Sequence, residues 1–126
     1  MIEGACYCGK VTFAITPPTK WCAHCHCSIC RRIHGSGVVT WVGCHSDSVT
    51  ITDPDDQLRW YASTESAERG SCRTCTTQLF FRGAKWPGEL HITLTSLESP
   101  VDREPAGHSY YDSHVSWLIL GDDLPR

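Results

Sequence analysis

Nine cysteines fall into three clusters in a chain of 126 residues. The clusters are Cys6-Tyr7-Cys8, then Cys22 with Cys25-His26-Cys27-Ser28-Ile29-Cys30, then Cys72-Arg73-Thr74-Cys75, and Cys44 stands alone. Such short-spaced pairs are half sites for zinc, which takes four thiolate or imidazole ligands at a tetrahedral centre. Close spacing and an odd count favour metal over a paired disulfide framework. The opening residues MIEGACYCGKVTF hold no apolar run of signal-peptide length. The expected location is therefore a reducing cytoplasm, where thiols stay free to bind metal. No stretch approaches the ~18 apolar residues of a membrane span, so no membrane partner is expected.

Two centres follow from the spacing. Cys6 and Cys8 pair with Cys72 and Cys75. Four thiolates fill the coordination sphere, so this centre is structural, and its metal adds folding energy once bound. Cys25, Cys27 and Cys30 offer three thiolates, which leaves a fourth position for water or a substrate thiol, the pattern of a reactive zinc. Three thiolates on Zn²⁺ give a net negative centre. Arg31 and Arg32 follow directly and are placed to offset that charge or to hold a ligand carboxylate. One alternative stays open: Cys22, three residues before Cys25, has good spacing to be a fourth ligand and close the site. His24, His26 and His34 are further donors in reach by sequence. A Rieske-type iron–sulfur centre needs a downstream Cys-x-x-His, and here that pair is Cys-x-x-Cys.

The elements that must position these ligands read as mostly β. Lys10 to Thr16 alternates, Val38 to Val42 is a short apolar run, and Val49 and Ile51 alternate before the turn Asp53-Pro54-Asp55-Asp56. Leu58 to Ala62, Gln78 to Arg82, Leu90 to Leu94 and Val115 to Leu120 complete about seven expected strands, and Ser28 to Ile33 is the one helical candidate. The length suits one domain over residues 1–126. A net charge of -3, with Arg31-Arg32 as the sole adjacent basic pair, excludes nucleic acid as a partner. His34-Gly35-Ser36-Gly37 is too short for a phosphate loop and lacks its lysine. The five tryptophans read as core or rim packing, and Cys44 as a small buried side chain.

The runs Gly4 to Phe13, Cys25 to Ser36 and Ser71 to Cys75 together resemble the glutathione-dependent formaldehyde-activating enzyme family, within the centromere-protein-V-like superfamily. The segment Pro105 to Trp117 and the ending Asp122-Asp123-Leu124-Pro125 fit it too. The resemblance implies a β-tent, Mss4-like zinc-binding fold. It implies a structural zinc at Cys6, Cys8, Cys72 and Cys75, a catalytic zinc at Cys25, Cys27 and Cys30, and Cys22 as a bystander. The implied activity is that of a carbon–sulfur lyase interconverting glutathione and formaldehyde with S-hydroxymethylglutathione. The alternative is a non-catalytic, zinc-stabilised binding module. At one position the chain departs from the pattern: the second pair is usually followed by glycine, and here Cys75 is followed by Thr76.

Overall fold

The computed structural model describes residues 1–126. Its elements are β1 (Ile2–Ala5), β2 (Thr12–Ile15), β3 (Trp21–Cys25), α1 (Ser28–His34), β4 (Val39–His45), β5 (Val49–Thr52), β6 (Leu58–Thr64), β7 (Ala67–Cys72), β8 (Gln78–Gly83), β9 (Glu89–Thr93) and β10 (His108–Ser109). The expectation of a mainly β chain holds. A three-stranded sheet runs in the order β1-β2-β5, and a seven-stranded sheet in the order β10-β3-β4-β9-β8-β7-β6. All pairings are antiparallel except β10 with β3.

The two sheets face each other across the main core. Val11, Phe13 and Ile15 from the small sheet meet Val42, Leu79, Phe80, Leu90 and Ile92 from the large one. Phe13 stands edge-on to Phe80 with ring centroids 5.3 Å apart. Burying each such side chain contributes about 1.5–3 kcal/mol. The large sheet is also covered on its other face. There Cys25, Cys30, Val39, Trp41 and Phe81 form a second cluster that includes one side chain of α1. Strand alternation divides β4 between the two clusters. In β4, Val42 and Cys44 go to the main core, while Val39 and Trp41 go to the second cluster. Gly43 lies opposite Trp21 in register, and a Cβ there would sit 2.2 Å from the indole. Its bare backbone is what lets Trp21 lie across the strand.

The strand expected over Val115 to Leu120 is not formed; those residues are irregular, with Trp117 74 % and Ile119 84 % exposed. The run packs through side chains instead. Trp117 and Leu118 close over Gly37, where an added Cβ would meet them at 3.0 and 2.8 Å. The edge of the large sheet is closed by β10. Three further strands, β1, β3 and β7, lie outside the expected set, because IEGA, WCAHC and AERGSC show no apolar alternation.

Candidate metal centres and the adjoining cavity

The first centre joins the two sheets. Cys6 and Cys8 lie in the β1–β2 connection of the small sheet, and Cys72 and Cys75 at the β7–β8 turn of the large one. Their four Sγ atoms lie within 4.8 Å of one another. Cys6 to Cys8 is 3.6 Å and Cys8 to Cys72 is 3.8 Å. Four sulfurs ~2.3 Å from one ion stand ~3.8 Å apart, so the donors fit zinc. All nine cysteines are free thiols. Two tight turns shape the centre: Gly9 N–H donates to Cys6 O at 3.0 Å, and Thr76 N–H to Cys72 O at 2.8 Å. Val11 N–H points at Cys6 Sγ at 3.4 Å, which stabilises thiolate charge. Burial opposes ionisation of Cys75. Hydrogen bonds from the Thr77 hydroxyl and from backbone N–H groups outweigh it and lower that thiol to about 5.

The second centre grows from the β3–α1 junction. Cys25 ends β3, and Cys27 stands at the N-cap of α1. Arg31 N–H donates to Cys27 O at 3.0 Å, which turns the chain so that Cys30 comes back, one turn on, to the same side. The three Sγ atoms lie within 4.8 Å of one another, and Cys25 to Cys30 is 3.6 Å. These distances also fit a zinc ion with one position left free. Cys22 does not join them. It sits three residues from Cys25 on a strand, where odd separations point to opposite faces. Its thiol is buried elsewhere, and burial raises it to about 11.

A buried arginine completes this centre. Arg69 of β7 is 5 % exposed, and its two terminal nitrogens both lie 3.4 Å from Cys30 Sγ. Arg69 Nε donates to Ser63 Oγ at 3.2 Å, and the guanidinium stands 5.0 Å from the Phe81 ring centroid. A buried cation needs a partner, and a cluster of thiolates supplies one. In the metal-free protein the hydrogen bond from Cys25 lowers the Cys30 thiol to about 5, opposed by burial and aided by the Arg69 charge. The same hydrogen bond, with burial, pushes the Cys25 thiol far up. Arg69 was not among the residues picked out by spacing. It sits on a strand without an apolar pattern, between the acidic Glu68 and Gly70. The available signal was an arginine three residues before a ligand pair.

The second centre opens on a cavity of about 590 Å³, whereas the first does not line it. Trp21, Trp41, Phe81 and Trp86 supply aromatic walls, and Cys25, Cys27 and Cys30 lie among them. Three of the five tryptophans thus pack around a space rather than into solid core. Tyr110 and Lys85 stand at the exposed rim, with Lys85 Nζ 3.2 Å from Tyr110 Oη.

The structure does not bring Arg31 and Arg32 to this cavity. Arg31 Nε donates to His26 O at 3.1 Å and its Nη2 to Ser113 O at 2.9 Å, tying the late segment to the cysteine loop. Arg32 is exposed on α1. His26, between two of the cysteines, is held from behind by a chain of side chains. His26 Nε2 meets His108 Nδ1 at 2.8 Å, and His108 Nε2 meets Asp122 at 3.0 Å. That chain pins the loop to the C-terminal segment. His24 bonds Thr40 Oγ1 at 2.8 Å, and His34 packs edge-on to Trp41, so neither joins the sulfur cluster.

Comparison with known proteins places this architecture. The model of the family described as glutathione-dependent formaldehyde-activating enzyme matches residues 1–113. A Halomonas elongata protein, provisionally named a glutathione-dependent formaldehyde-activating enzyme, is 26% identical over 128 residues, spanning 95% of this chain and 81% of its own length. A crystal structure of a Rhodobacter sphaeroides protein superposes with a TM-score of 0.64 at 23% identity, covering 80% of this chain and 92% of that one, and shows the same fold. With nearly the whole chain matched, this protein belongs to the glutathione-dependent formaldehyde-activating enzyme family.

Proposed function

We propose that this chain is a zinc-dependent carbon–sulfur lyase. It joins glutathione, or a similar thiol, to formaldehyde as S-hydroxymethylglutathione, or cleaves such an adduct. The observation that supports this most is the contrast at the cavity wall: three sulfurs converge there and the cluster ends at three. In this reading Cys6, Cys8, Cys72 and Cys75 hold a structural zinc, and Cys25, Cys27 and Cys30 hold the catalytic one. Zinc at the second centre supplies two kinds of chemistry, lowering the pKa of a thiol and polarising a carbonyl oxygen.

The remaining work falls to the chain. Arg69 offsets the net negative charge of three thiolates, so that a further anionic sulfur can approach. The aromatic walls exclude water and strengthen each charge interaction inside. In the joining direction the thiol gives up its proton and its sulfur adds to the carbonyl carbon. The π pair of the C=O bond moves to oxygen, which takes a proton. Cleavage runs the same events backwards. Cysteines grouped for metal and not joined as disulfides suit a reducing compartment, and the cytoplasm is the proposed location.

Exchange spectroscopy by NMR on an equilibrium mixture of glutathione and formaldehyde tests this. Zinc-loaded protein is expected to speed exchange above the uncatalysed rate, and Cys27→Ser to abolish the gain. Exchange at the background rate would point to another thiol, another aldehyde, or the binding-module alternative.

A further inference from the structure

The cavity is built for more than a one-carbon aldehyde. Its deep walls, Trp41, Phe81 and His91, are buried, and Trp21 and Trp86 complete an aromatic lining. Formaldehyde would leave most of about 590 Å³ unused, while a space of that size is typical of sites for much larger ligands.

Its charges are equally selective. No aspartate or glutamate lines it. The nearby Glu89 already accepts from Lys20 at 2.6 Å, from Trp21 Nε1 at 3.2 Å and from His91 at 2.9 Å. Two cations line the cavity, and Arg69 is engaged with Cys30. Lys85 alone is left, at the rim. Glutathione brings two carboxylates and an ammonium. An ammonium drawn into these walls would have no carboxylate to meet, and an unpaired buried charge is costly.

Resting on the lyase reading above, we propose that the carbon–sulfur substrate bears an apolar, ring-sized group. That group packs against Trp21, Trp41, Phe81 and Trp86, and an anionic group of the same molecule lies at Lys85. The ring belongs to the thiol half or to the carbonyl half; both put the same chemistry into the cavity.

Binding of three stable thioethers, followed by tryptophan fluorescence on zinc-loaded protein, tests this and shows whether glutathione accompanies the ring. The probes are S-methylglutathione, S-benzylglutathione and 4-(methylthiomethyl)benzoate. At least one benzyl compound is expected to bind about tenfold or more tighter than S-methylglutathione, as burial of one aromatic ring provides. Tight S-benzylglutathione places the ring on the carbonyl half, opposite glutathione, and tight benzoate with weak S-benzylglutathione shows that the ring is accepted only where glutathione is absent. Trp86→Ala is expected to remove most of the advantage. An advantage below about fivefold for both compounds, or one untouched by Trp86→Ala, overturns the proposal. Thioethers are not turned over. This comparison therefore stands or falls by itself, and the lyase reading fails only if neither glutathione with formaldehyde nor a ring-bearing thiol–aldehyde pair exchanges faster than background.

Discussion

The two cysteine centres differ in what they join. The first ties two sheets together through four sulfurs at their junction, and it stands apart from the aromatic cavity. The second draws all three sulfurs from six consecutive residues and adds no long-range link by its ligands. What it adds is a cavity and a buried arginine. In the proposed reading, sequence separation tracks role: ligands more than sixty residues apart close the fold, and ligands within one loop leave the metal free to serve chemistry. The charge differs in parallel. Val11 N–H and the Thr77 hydroxyl meet the sulfurs of the first centre, whereas a full cation meets those of the second.

Removing one ligand from each centre breaks the comparison most sharply. Cys72→Ser is expected to lose the first zinc and the fold with it. Structural zinc binding is worth about 10–16 kcal/mol, as much as the whole stability of a typical domain. Cys27→Ser is expected to lose the second zinc only and to keep a cooperative thermal transition. Zinc per chain and far-UV circular dichroism melts read both. A folded Cys72→Ser protein would show that the junction holds without its metal.

Arg69 is the next test. Arg69→Gln is expected to weaken metal at the second centre by about 10–100-fold, the usual cost of losing a supporting residue. The first centre should be unmoved. Competition with a chelator resolves the two sites, and an unchanged second site would take Arg69 out of the account. A smaller effect is expected at Arg31, whose two hydrogen bonds to backbone hold the late segment. Arg31→Ala should cost about 1 kcal/mol in thermal or denaturant unfolding, and the exposed Arg32→Ala less than about 0.5 kcal/mol.

The two centres were legible in sequence to different depths. The seven cysteines that cluster could be grouped from spacing, because short pairs at strand ends carry it. Cys22 could not be excluded by spacing. Its exclusion depends on β3 being a strand, and WCAHC does not look like one. Arg69 and Lys85 reach the cavity from β7 and from the β8–β9 connection, which no local pattern links to Cys30. Strands with alternating apolar residues, such as β2 and β9, were readable. Those without apolar alternation, β1, β3 and β7, were not. The Val115 to Leu120 run misled because its apolar residues cover a loop or face solvent, and no ladder partner lies beside it.

The finest test concerns the one departure from the family pattern. Thr76 holds a φ of +67°, in the left-handed region that disfavours a β-branched residue. Thr76→Gly is expected to raise stability by about 0.5–1 kcal/mol without changing zinc content. A fall in the unfolding midpoint would mean that the Thr76 side chain matters to the turn beyond its backbone strain.

The contrast between a closed and an open centre can be read directly by loading the protein with cobalt and titrating a thiol such as glutathione or phenylmethanethiol. Thiolate-to-cobalt charge-transfer bands report each sulfur that joins a metal. The account predicts a rise in these bands for the intact protein, saturating at one thiol per chain, and none for Cys27→Ser. A spectrum that no thiol alters in the intact protein would mean that the second centre is closed, and would contradict the account.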